Sequence, residues 1–540
     1  MSQILFIFLM VSSGAVLGVF EMSIQAIWPS VVALTVVLTT RKALVGLFAG
    51  AVSGSLILAG GNWWDAYLSL FSEHLAPHFE SSWKMGAVAL TLILGGFAAV
   101  LEKGGGFERI FEWLLKRIKD PAKGLQIGVM GLGLVCFFDG LANSMLVGRI
   151  SRKLGGRCGV SAEKLAYLVD STSSAVACVA FVSTWIAYQL SMIKEGFNIV
   201  GQEVNPYPYF IQSVPFNFYC WFTLALCFVC IFRNFNPGAM GTAEDAARVA
   251  ARAESQLSSD NSISRGVSGF SVVVPLLVLL VGMLLAFYVL GLREFLDSGE
   301  FEGYFPITGK KVATAFGSGE GPYIMVSMGI VGSLVAMGLY PHRKVKESVL
   351  VVYVEGIKSM LMPLFILFGA WMLSSTLNAL KAGDFIAGMM GEAVPLWSIP
   401  LLVFIAGALI SFTMGSSWAT MGILMPLAIP MVAGHPEMSS ADGQGTIYAV
   451  IIGAVFSGAV FGDHCSPISD TTIVSSIACG VEPHDHVRTQ MPYALLAAFV
   501  AALVGFLPTS FGVTPWLSLL FGVGILVGVG WYYLSDKDLG

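Results

Sequence analysis

The chain has 540 residues, of which 56% are hydrophobic and only 12% charged. A soluble protein of this length carries roughly twice that charged fraction. The composition therefore excludes a soluble enzyme or a nucleic-acid binder and makes the lipid bilayer the expected surroundings. The net charge of −5 carries little information, because orientation follows Lys and Arg in short loops and not the sum.

In chain order, residues 1–20 are apolar with no basic residue ahead of the run, so they read as a retained helix and not as a cleaved signal peptide. Apolar runs near 24–40, 43–60 and 84–101 have the length of bilayer spans, and Trp63 and Trp64 before the last are interface anchors. Arg41 and Lys42, and then Lys103, Arg109, Lys116, Arg117, Lys119 and Lys123, fall on one side. The positive-inside rule makes that side the cytoplasm, with the N-terminus on it. Residues 124–150 do not fit one crossing: an apolar run breaks at 139–144, resumes, and has basic residues at both ends. The pattern predicts a re-entrant hairpin with its tip at 139–144. Irregular backbone at membrane depth is tolerated only where protein or a wet cavity satisfies it. Spans near 164–190 and 213–232 follow. Residues 233–268 turn polar and read as a cytoplasmic linker with a short helix over 242–256.

The second half has spans near 270–290, 321–340 and 349–376, then an amphipathic stretch at 381–392. Apolar 396–413, a polar break at 414–420 and apolar 421–433 predict a second hairpin, entering from the outer side because no basic cluster flanks it. Span 446–480 is interrupted by polar residues at 462–470. Spans 491–509 and 513–534 complete the chain, with the C-terminus cytoplasmic. The eight cysteines lie mostly in apolar runs, Cys227 and Cys230 included, and suggest packing and not disulfides.

The two halves match in order. The predicted fold is an all-α polytopic membrane protein with inverted-topology repeats, each holding a re-entrant helical hairpin and an interrupted transmembrane helix. The repeats are 24–232 and 269–509, joined by the linker 233–268, with an extra helix at 1–23 and another at 510–540. In this pairing Gly140-Leu141-Ala142-Asn143-Ser144 faces Gly415-Ser416-Ser417-Trp418-Ala419-Thr420, and Asp170-Ser171-Thr172-Ser173-Ser174 faces Asp463-His464-Cys465-Ser466-Pro467.

Ionisable side chains at membrane depth are costly and are functional candidates by default. Here they are Asp139, Asp170, Asp463, His464 and Asp470. Oxygen-bearing groups surround them: Asn143 and Ser144; Ser171 and Thr172; Ser416, Ser417 and Thr420; Ser466, Ser469 and Thr471. Oxygen-rich, thiol-poor surroundings suit a hard cation such as Na⁺, with Asp463, Asp470, Asp170 and Asn143 as its candidate ligands. Gly462 and Pro467 disturb the helix ladder and free backbone carbonyls at the break. A buried carboxylate can hold a proton or Na⁺ but not both, and such competition with alternating access is sufficient for antiport. His464 reads equally as a proton carrier or as a packing partner of the break. Glu355 and Lys358, at i and i+3, read as a local pair.

Gly415-Ser416-Ser417-Trp418-Ala419-Thr420-Met421-Gly422, followed by Phe461-Gly462-Asp463-His464-Cys465-Ser466-Pro467-Ile468-Ser469-Asp470-Thr471-Thr472-Ile473, closely resembles the NhaC family of Na⁺/H⁺ antiporters. Lys164-Leu165-Ala166-Tyr167-Leu168-Val169-Asp170-Ser171-Thr172-Ser173-Ser174 is similar to that family's first-half motif. The resemblance implies a secondary transporter of the inner membrane that exchanges Na⁺ for H⁺ with no cofactor. It also implies an alternative, because the family includes exchangers of malate and lactate: a Na⁺- or H⁺-coupled carrier of a small organic acid or amino acid. The expected partners are the bilayer, small cations, a small organic solute in the alternative, and a second copy of the chain as a homodimer.

Overall fold

The computed structural model describes residues 3–19, 23–40, 42–107, 109–110, 120–181, 183–254, 267–316, 320–342, 345–382, 385, 394–440, 444–467 and 469–537. Every regular element among them is helical. In the first half these are α1 (Gln3–Val19), α2 (Trp28–Thr40), α3 (Ala43–Leu58), α4 (Trp63–Ser72), α5 (Ser82–Gly104), α6 (Pro121–Val135), α7 (Gly140–Cys158), α8 (Ala162–Val179), α9 (Thr184–Ile199), α10 (Pro206–Ser213) and α11 (Phe218–Arg233). Helix α12 (Ala239–Glu254) occupies the linker. The second half contributes α13 (Phe270–Asp297), α14 (Gly309–Phe316), α15 (Gly321–Gly338), α16 (Val349–Ser359), α17 (Leu361–Ala379), α18 (Ile399–Met414), α19 (Ser417–Ala433), α20 (Gln444–Cys465), α21 (Asp470–Cys479), α22 (Pro483–Val500) and α23 (Pro515–Lys537).

Eight described helices are long and apolar enough to cross a bilayer, and up to eleven spans result if each of three bent pairs counts as one. The chain is a multi-pass membrane protein. Two helices lie at its centre. Every residue of α8 from Lys164 to Val179 is buried, as is every residue of α20 from Tyr448 to Val460. A helix buried on all faces belongs to the core of a bundle. Around them pack two hairpins, α6–α7 and α18–α19, while α5 lies against α15, α16 and α9. The crossing of α5 and α16 is a glycine contact: a Cβ on Gly356 would stand 2.3 Å from the Gly95 carbonyl oxygen. Small residues let membrane helices approach this closely.

Both hairpins form where the polar tips predict them. The interruption in the second half also forms, but later than expected. Helix α20 runs through Gly462 to Cys465, and the break is confined to Ser466, Pro467 and Ser469 among the described residues. Proline lacks the N–H a helix needs and disfavours helical geometry in the residue before it, so Pro467 alone ends α20. Gly462 has a different task. A Cβ there would come within 2.3 Å of the Phe412 backbone nitrogen, so Gly462 is where hairpin α18–α19 closes onto α20.

The first half departs further from expectation. Span 164–190 is not continuous: α8 ends at Val179 and α9 starts at Thr184 with a bend of 48°. The interruption therefore does not lie at 170–174, which is regular helix. There Thr172 Oγ1 donates to the Leu168 and Val169 carbonyls (2.9 and 3.1 Å), and Ser173 Oγ to the Asp170 carbonyl (2.8 Å). Hydroxyls that bond back to their own helix do not break it. The break is made instead by Ser183, which accepts from the Ile186 N–H as the cap of α9 and donates to the Ala177 carbonyl. Span 213–232 is likewise the second arm of a bent pair, at 44° to the segment Pro206–Phe216. The linker helix forms over Ala239–Glu254, and the stretch 381–392 lies largely outside the described residues. Glu355 and Lys358 are both exposed on α16.

Candidate functional site

The first hairpin tip is organised by Asp139. Its extended backbone caps α7, Oδ1 accepts from the Ala142 N–H (2.7 Å), and Oδ2 accepts from Thr184 Oγ1 (2.9 Å). The Thr184 N–H donates to the Phe138 carbonyl (2.9 Å), so the tip is tied to the start of α9. Asn143 Nδ2 donates to the Gly133 carbonyl (2.9 Å) and to the Thr172 carbonyl (3.0 Å), joining both arms of the hairpin to α8. Its Oδ1 is buried with no hydrogen-bond partner.

The second tip turns on Gly415, whose φ of 62° is left-handed and favours glycine. Ser416 caps α19, accepting from the Ala419 N–H (3.4 Å), while Thr420 Oγ1 donates to the Ser416 carbonyl (2.9 Å). Ser411 Oγ and Ser417 Oγ both donate to the Ala459 carbonyl (2.6 and 3.2 Å), pinning the hairpin to α20. The two tips meet at a cavity of about 180 Å³ lined by Asp139, Leu141, Thr184, Ser416, Ser417, Trp418 and Thr471, with Ser359, Met360, Met362 and Pro363 closing it from the α16–α17 junction.

Behind this cavity lies Asp463, which is buried. Its carboxylate spans the break in the helix, accepting from Ser469 Oγ and from Thr471 Oγ1 (2.8 Å) at the start of α21. Thr471 also lines the cavity, so Asp463 stands one hydrogen bond behind the cavity wall. The side chain of Asp470 lies outside what the structure describes. Ser466 Oγ is buried without a hydrogen-bond partner.

Asp170 forms a second, deeper centre. It is fully buried. Oδ2 accepts from Gln490 Nε2 (2.7 Å) and Thr472 Oγ1 (3.3 Å), Oδ1 lies 3.2 Å from Ser475 Oγ, and His486 Nε2 is 3.4 Å from Oδ2. Two bridges connect the centres. The Thr472 hydroxyl sits between Asp170 and the Asp463 carbonyl (2.9 Å), and Gln490 Nε2 also reaches the His464 carbonyl (2.7 Å). Ser144, from the first hairpin, joins through Ser475 at 3.0 Å. His464 is held between helices, with Nε2 2.9 Å from Ser174 Oγ and Nδ1 3.0 Å from the Tyr219 hydroxyl.

The candidates thus divide. Asp170, Ser144, Asp463, Ser469, Thr471 and His464 share one connected network, while Asp139, Ser416 and Ser417 form the tips that roof it. Asn143 is joined to it through the Thr172 carbonyl. Ser171 is directed toward Cys227 of α11, and Thr172 bonds its own helix. Sequence reasoning missed Thr184, Tyr219, Ser475, His486 and Gln490 as site residues. A signal existed for two of them: His486 and Gln490 are one helical turn apart, i and i+4, on α22.

A profile of the Na⁺/H⁺ antiporter family matches residues 176–509. A protein of Haemophilus influenzae, described only as uncharacterized, is 30% identical over 504 residues, spanning 91% of this chain and 92% of its own length. The malate-2H(+)/Na(+)-lactate antiporter of Bacillus subtilis is 32% identical over 111 residues, 20% of this chain and 22% of its own. The Na(+)/H(+) antiporter NhaC of Alkalihalophilus pseudofirmus is 31% identical over 162 residues, 28% and 31% of the two chains. Among solved structures, the YdaH transporter of Alcanivorax borkumensis superposes with a TM-score of 0.54 at 16% identity, covering 84% of this chain and 90% of its own, which is a likeness of fold.

Proposed function

The chain belongs to the Na⁺/H⁺ antiporter family, and we propose that it exchanges Na⁺ for H⁺ by letting its buried carboxylates hold one ion or the other in turn. The observation that carries this reading is the linked pair Asp170 and Asp463, both buried and both supplied with hydroxyl groups, behind a cavity roofed by two hairpin tips. An ionised carboxylate removed from water costs several kcal/mol unless a proton or a cation neutralises it. Hydroxyls suit both states, since each can donate to a carboxylate or turn its lone pairs toward Na⁺. Carbonyls freed at the α20–α21 break add oxygens of the same kind. In this scheme no cofactor beyond the transported ions takes part.

The mechanism requires that the cavity open to one side at a time. Each hairpin tip is fastened to a different broken helix, the first to α9 and the second to α20. Repeats at 24–232 and 269–509, inserted in opposite senses, would let the hairpins act as gates for opposite sides. In this reading the basic residues of the short loops face the cytoplasm, both termini lie on that side, and the chain sits in the inner membrane.

One observation favours a second reading, exchange of a small organic anion. The cavity of about 180 Å³ is larger than a bare ion needs, and α19 and α21 both begin at it. Helix N-termini favour negative charge, and a relative by sequence is the malate-2H(+)/Na(+)-lactate antiporter. Purified protein in proteoliposomes under an imposed pH gradient separates the two. Sodium antiport predicts that Na⁺ alone collapses the gradient and that Asp463→Asn abolishes the response. A gradient that collapses only when an organic acid is added would replace the first reading with the second.

A further inference from the structure

A second group of buried charges lies away from the carboxylates, at the far end of α9. Lys84 opens α5, Glu195 stands in the last turn of α9, and the two form an ion pair at 2.5 Å with side chains almost wholly buried. Lys84 Nζ also meets His78 Nδ1, while His78 Nε2 lies 3.2 Å from the Trp371 carbonyl oxygen. The Lys84 ammonium stands 5.6 Å over the Trp371 ring, and Trp371 Nε1 donates to Ser191 of α9 at 2.5 Å.

These contacts fix the chemistry of the histidine. An ammonium has only donors, so His78 Nδ1 must be the acceptor, and Nε2 carries the proton given to the Trp371 carbonyl. His78 is therefore neutral here. The groups facing it are Lys84 from α5, Glu195 from α9 and His74 from its own segment, while α17 offers the Trp371 ring and carbonyl. Around His78 the chain is open to the surroundings: Ala76, Pro77, Phe79 and Glu80 line its flanks, with Pro77, Phe79 and Glu80 as neighbours in an accessible segment. His78 is the inward-facing residue of that segment.

We propose that His78, Lys84 and Glu195 form a proton-binding site, separate from the ion site, whose occupancy decides whether α9 stays pinned to α5. A proton taken from water onto His78 Nδ1 removes the lone pair that accepts from Lys84. The imidazolium and Lys84 then share one carboxylate in a dry pocket beside Lys194 of α9, and like charges at this range repel strongly. Lys84 is displaced, the imidazolium pairs with Glu195, and the link from α5 to α9 is lost. The consequence reaches the ion site because α9 is continuous from Glu195 to Thr184, eleven residues or about 16 Å away at 1.5 Å each. Thr184 holds Asp139 at the first hairpin tip. The site responds to protons whichever ion the carboxylates carry, so it does not depend on the sodium reading.

Hydrogen exchange of the α9 backbone in lipid nanodiscs tests this without any transport assay. After correction for intrinsic rates, wild type should exchange several-fold faster over residues 190–199 at about pH 4.5 than at about pH 8, because burial holds His78 below the ordinary histidine value. His78→Gln keeps an acceptor for Lys84 and a donor for the Trp371 carbonyl but cannot take the proton, and it should show no such acceleration. The double variant Lys84→Gln with Glu195→Gln removes both charges together, and the amide at position 84 still supplies a donor for His78 Nδ1, so it should fold and should also be insensitive to pH. Equal acceleration in wild type and His78→Gln, or none in wild type, would overturn the proposal.

Discussion

Asp170 and Glu195 are both buried carboxylates, and their surroundings differ in one decisive respect. Glu195 has its own cation, Lys84, at 2.5 Å. Asp170 has an amide, hydroxyls and an imidazole, and no Lys or Arg at ion-pair distance among the described residues. A pair that neutralises itself has no need of a mobile ion and serves to hold two helices together. A carboxylate with no lysine or arginine beside it has no permanent counter-charge, which is the condition for carrying a cation or a proton. The protein has used the same functional group for a fastening and for a site, and the partner decides which.

Substitutions that exchange these conditions should give opposite phenotypes. The largest expected effect is Asp170→Asn, which removes the uncompensated charge. Exchange in proteoliposomes should fall to the level of empty liposomes while the melting temperature stays near that of wild type. Glu195→Gln should do the reverse. It leaves Lys84 buried without its counter-charge, a loss of about 3–5 kcal/mol for a broken buried pair, and thermal unfolding should register it as a clear fall in Tm.

Smaller changes sharpen the comparison within the ion site. Thr472→Val deletes the hydroxyl between Asp170 and the Asp463 carbonyl and should weaken half-saturation by Na⁺ roughly five- to tenfold, or about 1–1.5 kcal/mol. Gly462→Ala places a methyl against the Phe412 backbone and should cost about 1–3 kcal/mol of stability with the ion-binding groups intact. Tyr219→Phe removes one of the two hydroxyls holding His464 and is expected to cost about 1 kcal/mol, read as a modest change in exchange rate.

Much of the fold is legible in the residues alone. Length and hydropathy mark the helices. The polar tips at Asp139 and Ser416 mark both hairpins, because a polar cluster inside an apolar run cannot face lipid and has to turn back into protein. Pro467 marks the second break by a local steric rule. The first break leaves no such mark. Ala180, Phe181 and Val182 continue the apolar run without glycine or proline, and the bend depends on Ser183 capping the next helix. The partners of Asp170 are hidden for another reason. Ser475, His486 and Gln490 are single polar residues in helices far along the chain, and only packing brings them to one carboxylate. Lys84 and Glu195 escape notice likewise: each alone reads as an edge residue of an apolar span, and the pair exists only where α5 meets α9.

The central claim is that one set of carboxylates holds either ion, and it predicts that Na⁺ binding expels protons. Purified protein in weakly buffered detergent solution, near the pH of half-maximal exchange, can be titrated with NaCl while released protons are followed with a pH indicator, with choline chloride as control. Wild type should release protons in proportion to Na⁺ bound, and Asp170→Asn should release none. Sodium binding without proton release, or the same release from Asp170→Asn, would contradict the account.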